Sequence, residues 1–128
     1  IDKAFQILGM NLITKQTGPN GKIVKKILVE EVAQIEKELY FSIILNRAKS
    51  VISMIGSREG GIEIEEIATK HPEKIITEDI EWSPTLPAFK ARKMAVLLGV
   101  KSGKIQESAK FIQGLYKAFI DNDCSLVE

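Results

Sequence analysis

The sequence predicts a mixed α and β fold of the α+β class, and two patterns carry that prediction. Residues 38–46 alternate with period two: Leu39, Phe41, Ile43 and Leu45 fall on one face, Glu38, Tyr40 and Ser42 on the other. Residues 102–121 follow the helical period instead. Ile105, Ala109, Ile112, Leu115, Tyr116 and Phe119 form one stripe, and Lys104, Glu107, Lys110 and Lys117 face water. Strand signals dominate the first half of the chain and helical signals the second.

Taken in order, residues 2–8 read as the tail of a helix, with Ala4, Phe5, Ile7 and Leu8 apolar and Gly9 ending it. Residues 11–14 and 23–30 read as two strands joined by the polar turn Gly18-Pro-Asn-Gly-Lys22, in which Asn20-Gly21 is a tight-turn pair. Residues 38–46 and 51–56 form a second strand pair around Arg47-Ala-Lys-Ser50. Ile64, Ile67 and Ala68 lie at i, i+3 and i+4, which makes 63–70 a short amphipathic helix before His71-Pro72. Residues 74–80 suit a strand. Pro87 and Gly99 frame a helix over 88–98. Ser102 is placed to cap the long helix to about 121, and 125–128 is a last strand. Phe41 and Leu115 are expected in the core.

Composition narrows the function. The 128 residues are 45% hydrophobic, enough to bury a core. Eighteen basic residues against 17 acidic ones leave a net charge of +1, which argues against nucleic acid or an anionic membrane as the main partner. No apolar run reaches the roughly 20 residues that span a bilayer. One cysteine, Cys124, cannot form an internal disulfide, and one histidine provides no zinc-type cluster, so a reduced, cytosol-like compartment fits. The chain starts without Met and stops at the apolar S-L-V-E, which reads as a piece of a longer protein.

The stretch S-R-E-G-G-I-E-I-E-E-I, residues 57–67, sets a glycine pair before a run of carboxylates. A phosphate cradle needs bare backbone N–H groups at a helix N-terminus without competing negative charge. Here Glu59 precedes the pair, and Glu63, Glu65 and Glu66 fill the next turn, where they suit the helix dipole and would repel a phosphate. The spacings of the dinucleotide and P-loop motifs are absent. On physical grounds Gly60-Gly61 is a turn.

The run M-I-G-S-R-E-G-G-I-E-I-E-E-I-A (54–68) closely resembles a segment of the β subunits of succinyl-CoA synthetases. So do N-L-I-T-K-Q-T-G-P-N-G-K (11–22), I-L-V-E (27–30), K-E-L-Y (37–40) and, more loosely, F-K-A-R (89–92) and D-C-S-L-V-E (123–128). The resemblance is colinear over nearly the whole chain. It implies a fragment of an ATP-grasp domain, with a mainly antiparallel sheet and helices packed on one side. Residues 1–32 would end the smaller subdomain, and 33–128 would form an incomplete larger one. Such enzymes bind ATP/ADP or GTP/GDP with Mg²⁺ and interconvert succinyl-CoA, phosphate and NDP with succinate, CoA and NTP. The reaction runs through a phosphohistidine on an α subunit, the implied partner in a heterodimer or heterotetramer. The implied location is the bacterial cytoplasm or the mitochondrial matrix. Related acyl-CoA ligases and a non-catalytic nucleotide-binding module share the architecture and stay open.

By the same resemblance, Val29-Glu30 match the hinge dipeptide beside the nucleotide base, and the Ala33 backbone lines the base pocket. Glu38 matches the acidic residue that binds the ribose hydroxyls. Glu128 matches the acidic residue before a metal-binding asparagine and would orient the visiting histidine. The metal ligands, the glycine-rich phosphate loop with its lysine, and the C-terminal domain would lie outside these residues, leaving them alone without ligase turnover. His71 does not match the phosphohistidine and reads as a surface residue. Asn46 stands where many relatives carry Asp, and 81–86 depart from the usual linker. Chemically, a carboxylate suits two ribose hydroxyls because it offers two charged acceptors. The bland alternative for Glu30, Glu31, Glu36 and Glu38 is a solvated acidic hinge paired with Lys37. Lys15, Lys25 and Lys26 read as strand-edge lysines that deter edge pairing. Glu59, Gly60 and Gly61 would form a lip near Glu128.

Overall fold

A computed structural model describes residues 2–61 and 64–128, so Ile62 and Glu63, assigned above to the motif and its helix, lie outside the described residues. The chain forms two compact units, Ile1–Gln34 and Ile35–Glu128.

In the first unit, helix α1 (Asp2–Ile7) precedes two short antiparallel strands, β1 (Asn11–Leu12) and β2 (Lys22–Ile23). The Thr14 amide donates to Thr17 Oγ1 at 2.8 Å and that hydroxyl donates to the Leu12 carbonyl at 2.8 Å, so the chain turns at once after β1. The strand expected over 23–30 is cut to its start. Val24 still exchanges hydrogen bonds with Gly9 and Met10, but the chain before Gly9 is helix α1 and offers no further ladder. A strand needs a neighbour for its backbone groups. Residues 24–39 are therefore neither helix nor strand.

The second unit holds a four-stranded antiparallel sheet in the order β5-β4-β3-β6: β3 (Tyr40–Asn46), β4 (Val51–Ser57), β5 (Ile75–Ile80) and β6 (Leu126–Val127). Asn46 pairs with Val51, and Asn46 Oδ1 accepts from the Lys49 amide at 3.2 Å, so the asparagine performs the turn-closing role available to an aspartate. Helix α2 (Ile64–Lys70) follows β4 and buries Ile67. Helices α3 (Ala88–Leu97) and α4 (Ile105–Asp121) pack on one face of the sheet. Register puts Phe41, Ile43, Ile52, Met54, Gly56, Ile76, Ile80 and Val127 on that face. They join Ala91, Met94, Ala95, Leu98, Ala109, Ile112, Tyr116 and Phe119 in one core around a glycine-tight contact. A Cβ on Gly56 would meet Leu98 Cδ2 at 2.8 Å, so this mid-strand glycine lets α3 approach the sheet.

Several expectations shift at their edges. Of the predicted apolar face, Phe41 and Ile43 pack on the core, while Leu39 and Leu45, toward the two ends, are more than a third exposed. Phe41 and Leu115 are partly buried at the core margin. Ser102 gives no side-chain cap; residues Ser102–Lys104 make a 3₁₀ turn whose backbone leads into α4. The end of α3 is closed by hydrogen bonds that the Gly99 amide donates to the Val96 carbonyl and the Val100 amide to the Ala95 carbonyl. Arg58 Nε adds a bond to the Leu97 carbonyl at 2.8 Å, placing a cation at the negative end of the helix.

Candidate functional site

The face of the sheet away from α3 and α4 carries the polar side chains. Period two puts Tyr40, Ser42 and Ile44 of β3 there, with Ser53, Ile55 and Ser57 of β4 and Thr77 and Asp79 of β5. Strand β6 pairs Val127 with Ile43 and Leu126 with Ile44, so Glu128 continues beside Ser42 on this same face. The Tyr40 hydroxyl donates to Glu128 Oε2 at 3.3 Å across 88 residues of sequence. Burial pushes the Tyr40 phenol above its ordinary value of 10.0; the Ser42 hydroxyl opposes this, and the Glu128 and Glu65 carboxylates add to it. The phenol therefore stays protonated and acts as a donor at neutral pH.

A second polar cluster lies on the same face. Asp79 accepts from Lys49 Nζ at 2.8 Å and from Ser53 Oγ at 2.7 Å. The Lys49 ammonium, and after it the Ser53 hydroxyl, hold the Asp79 carboxyl below its ordinary range. Ser42, Ser53 and Ser57 are all buried, and among the described residues no buried side-chain nitrogen or oxygen lacks a partner.

The other predicted residues have distinct settings. Glu38 stands two residues before β3 rather than inside it, exposed, with the Gly60-Gly61 backbone packed against it. Glu59, next to that pair, ties to Lys74 at 2.6 Å. Glu30 and Ala33 belong to the first unit, exposed on the irregular segment after β2, next to Val29, which is 77% exposed. Glu36 pairs with Lys101 at 2.6 Å, not with Lys37. His71 is exposed, with Nδ1 3.3 Å from Glu73 Oε1. Lys25 and Lys26 are exposed outside any strand.

Sequence reasoning missed Tyr40 as a partner of Glu128, although K-E-L-Y flagged the residue and the alternation put it on the polar face. It also missed the Lys49, Ser53 and Asp79 cluster, which joins three segments with no common spacing. Among the described residues no group of three or more His, Cys, Asp or Glu side chains could hold a metal ion. Glu128 has one oxygen on Tyr40 and a single carboxylate to offer. The donors among the described residues do not by themselves make up a magnesium site. Among the described residues no helix is long and apolar enough to cross a membrane.

A family model described as an ATP-grasp domain matches residues 1–128. The chain is 46% identical over 125 residues to the ADP-forming succinate–CoA ligase β subunits of Geobacillus kaustophilus, Acidobacterium capsulatum and Bacillus thuringiensis. Each match covers 98% of this chain and 32% of the relative, so the chain spans about a third of the length of these proteins.

Proposed function

Since the chain belongs to the ATP-grasp family, we propose that it is the nucleotide-binding portion of a succinate–CoA ligase β subunit. The whole enzyme would couple succinyl-CoA, phosphate and ADP or GDP to succinate, CoA and ATP or GTP, through a histidine phosphorylated on a partner α subunit. The observation that carries the reading is the 46% identity to such β subunits across 98% of the chain. In this reading residues 1–32 are the C-terminal part of the smaller subdomain and 33–128 an incomplete larger one. The relatives are bacterial, which favours the cytoplasm as its location.

Each proposed residue then has a physical task. Glu30 and the Ala33 backbone border the base. Glu38 accepts the two ribose hydroxyls. Phosphoryl transfer asks the protein chiefly to position groups and to balance charge. Glu128 serves the incoming histidine: a carboxylate that accepts the imidazole N–H sets the tautomer and stabilises the imidazolium. With Oε2 held by the Tyr40 hydroxyl, Oε1 is left for that bond, and Tyr40 is a positioning residue for the acid.

The test is a coupled assay of the protein carrying this chain with its α partner, comparing ADP with GDP and succinate with related acids. Glu128→Gln is then measured in each half-reaction. The proposal expects histidine phosphorylation by NTP to fall by about a hundredfold or more, as for a removed acid–base partner. Phosphorylation by succinyl-CoA plus phosphate, and nucleotide affinity, should stay near wild type. Equal loss in both half-reactions sinks the role of Glu128, and absence of histidine phosphorylation in the wild type sinks the enzyme reading.

A further inference from the structure

We propose that the Gly60-Gly61 turn is a positioning device for Glu38 and, through it, a determinant of selectivity for ribonucleotides over deoxyribonucleotides. The inference rests on the reading of Glu38 as the ribose acceptor and adds what holds that acceptor in place.

Strands β3 and β4 pair as far as Tyr40 and Ser57. Beyond that pair the two chains keep running side by side, which brings the turn after β4 against the residues before β3. The approach is close. A Cβ on Gly60 would stand 2.6 Å from the Glu38 carbonyl carbon, 2.7 Å from Glu38 Cβ and 2.8 Å from the Leu39 nitrogen. A Cβ on Gly61 would collide with Glu38 Oε2. One glycine thus abuts the main chain of Glu38 and the other abuts its carboxylate.

The two glycines are required for different reasons. Gly61 has a φ of +72°, which disfavours a side chain whatever the space. Gly60 is not among the positive-φ glycines, so its backbone does not ask for glycine; the proximity of Glu38 does. Glu59 is drawn to Lys74 at 2.6 Å, which offsets a second negative charge beside Glu38. This accounts for E-G-G without a phosphate. The turn is shaped to receive a carboxylate's residue, and it removes one direction in which that carboxylate could swing.

Selectivity follows from hydrogen-bond geometry. A carboxylate that accepts from two vicinal hydroxyls must keep both oxygens within about 3 Å of them, because such bonds weaken steeply with distance and angle. A methyl group at position 61 is most easily accommodated by rotation of the Glu38 side chain. That rotation removes the bond to the 2′-hydroxyl and leaves base and phosphate contacts alone.

The experiment is calorimetric binding of ADP and 2′-deoxy-ADP to the protein carrying this chain, as wild type, Glu38→Ala, Gly60→Ala, Gly61→Ala and the Glu38→Ala/Gly61→Ala double variant. Wild type should prefer ADP by about tenfold or more, the scale of one charge-assisted hydrogen bond. Glu38→Ala and Gly61→Ala should each bring the ratio close to one, because ADP loses the bonds to both hydroxyls and 2′-deoxy-ADP only the one to its 3′-hydroxyl. The double variant should bind like Glu38→Ala alone. Strain at φ +72° lowers the unfolding temperature in both backgrounds, but strain alone does not move the ADP to 2′-deoxy-ADP ratio. If Glu38→Ala removes the preference and both glycine variants keep it, the positioning role is overturned while the reading of Glu38 stands. If Glu38→Ala keeps the preference, the reading of Glu38 and the inference fall together. Should Gly60→Ala prevent folding, the Gly61→Ala ratio decides.

Discussion

Tyr116 offers a direct test of how the core is built. Its side chain is fully buried in α4, and its hydroxyl donates to the Ser83 carbonyl at 2.7 Å. With Gln113 Nε2, which donates to the Leu86 carbonyl at 2.9 Å, it ties the linker before α3 to the last helix. Tyr116→Phe keeps the ring and deletes only the hydroxyl, leaving a part-buried carbonyl without its donor. That costs about 1–3 kcal/mol, or a fall of about 4–20 °C in unfolding temperature for a domain of this size. Ser83→Ala is the control: it keeps the backbone acceptor and removes only the hydroxyl's own bonds with Thr85, so Tyr116→Phe should still lower the midpoint in that background. Burial holds the Tyr116 phenol above its ordinary value of 10.0. A raised value means that the protonated form is the one favoured by folding. This contribution is complete below pH 10 and is lost as pH rises through the folded-state value. The gap between wild type and Tyr116→Phe should therefore narrow above pH 10. Thermal unfolding followed by near-ultraviolet circular dichroism at pH 7 and pH 10.5 measures both effects. Equal midpoints for wild type and Tyr116→Phe at pH 7 would refute the reasoning.

Ile43, wholly buried between β4 and β6, should lose about 2–5 kcal/mol on substitution by Ala; urea midpoints check this, and Phe41→Ala and Leu115→Ala, at the margin, should fall toward the lower end. Asp79 has a lowered folded-state value, so its contribution is present above the ordinary 3.8 and fades as pH falls below it. The stability difference between wild type and Asp79→Asn should then be seen at pH 6 and shrink toward pH 2. Glu38→Gln, in the protein carrying this chain, should weaken ADP and ATP binding by about 1–3 kcal/mol with little change in unfolding temperature, and an unchanged affinity marks Glu38 as a surface residue.

Periodicity alone determined the parts of this molecule that are decided locally. The stripe from Ile105 to Phe119 became the buried face of α4, and alternation around Ile43 gave β3 a core face and a polar face, because burying a continuous apolar stripe is the main driving force for both elements. Gly99 and the hairpin from Asn46 to Val51 were legible for the same reason: their backbone chemistry is set within a few residues. Run-based resemblance, not physics, singled out Glu30, Ala33, Glu38 and Glu128. What required the tertiary structure involves partners far apart in the chain. No spacing predicts that Tyr40 meets Glu128, since the contact exists only because β6 pairs back onto β3. Nor does composition reveal that residues 24–30, apolar enough for a strand, lack a ladder beyond Val24, or that Leu39 and Leu45 stay more than a third exposed. The glycine pair shows the division most clearly. Its carboxylate neighbours argued against a phosphate from sequence alone, but its close packing on Glu38 depends on two strands running side by side, and only the folded sheet supplies that proximity.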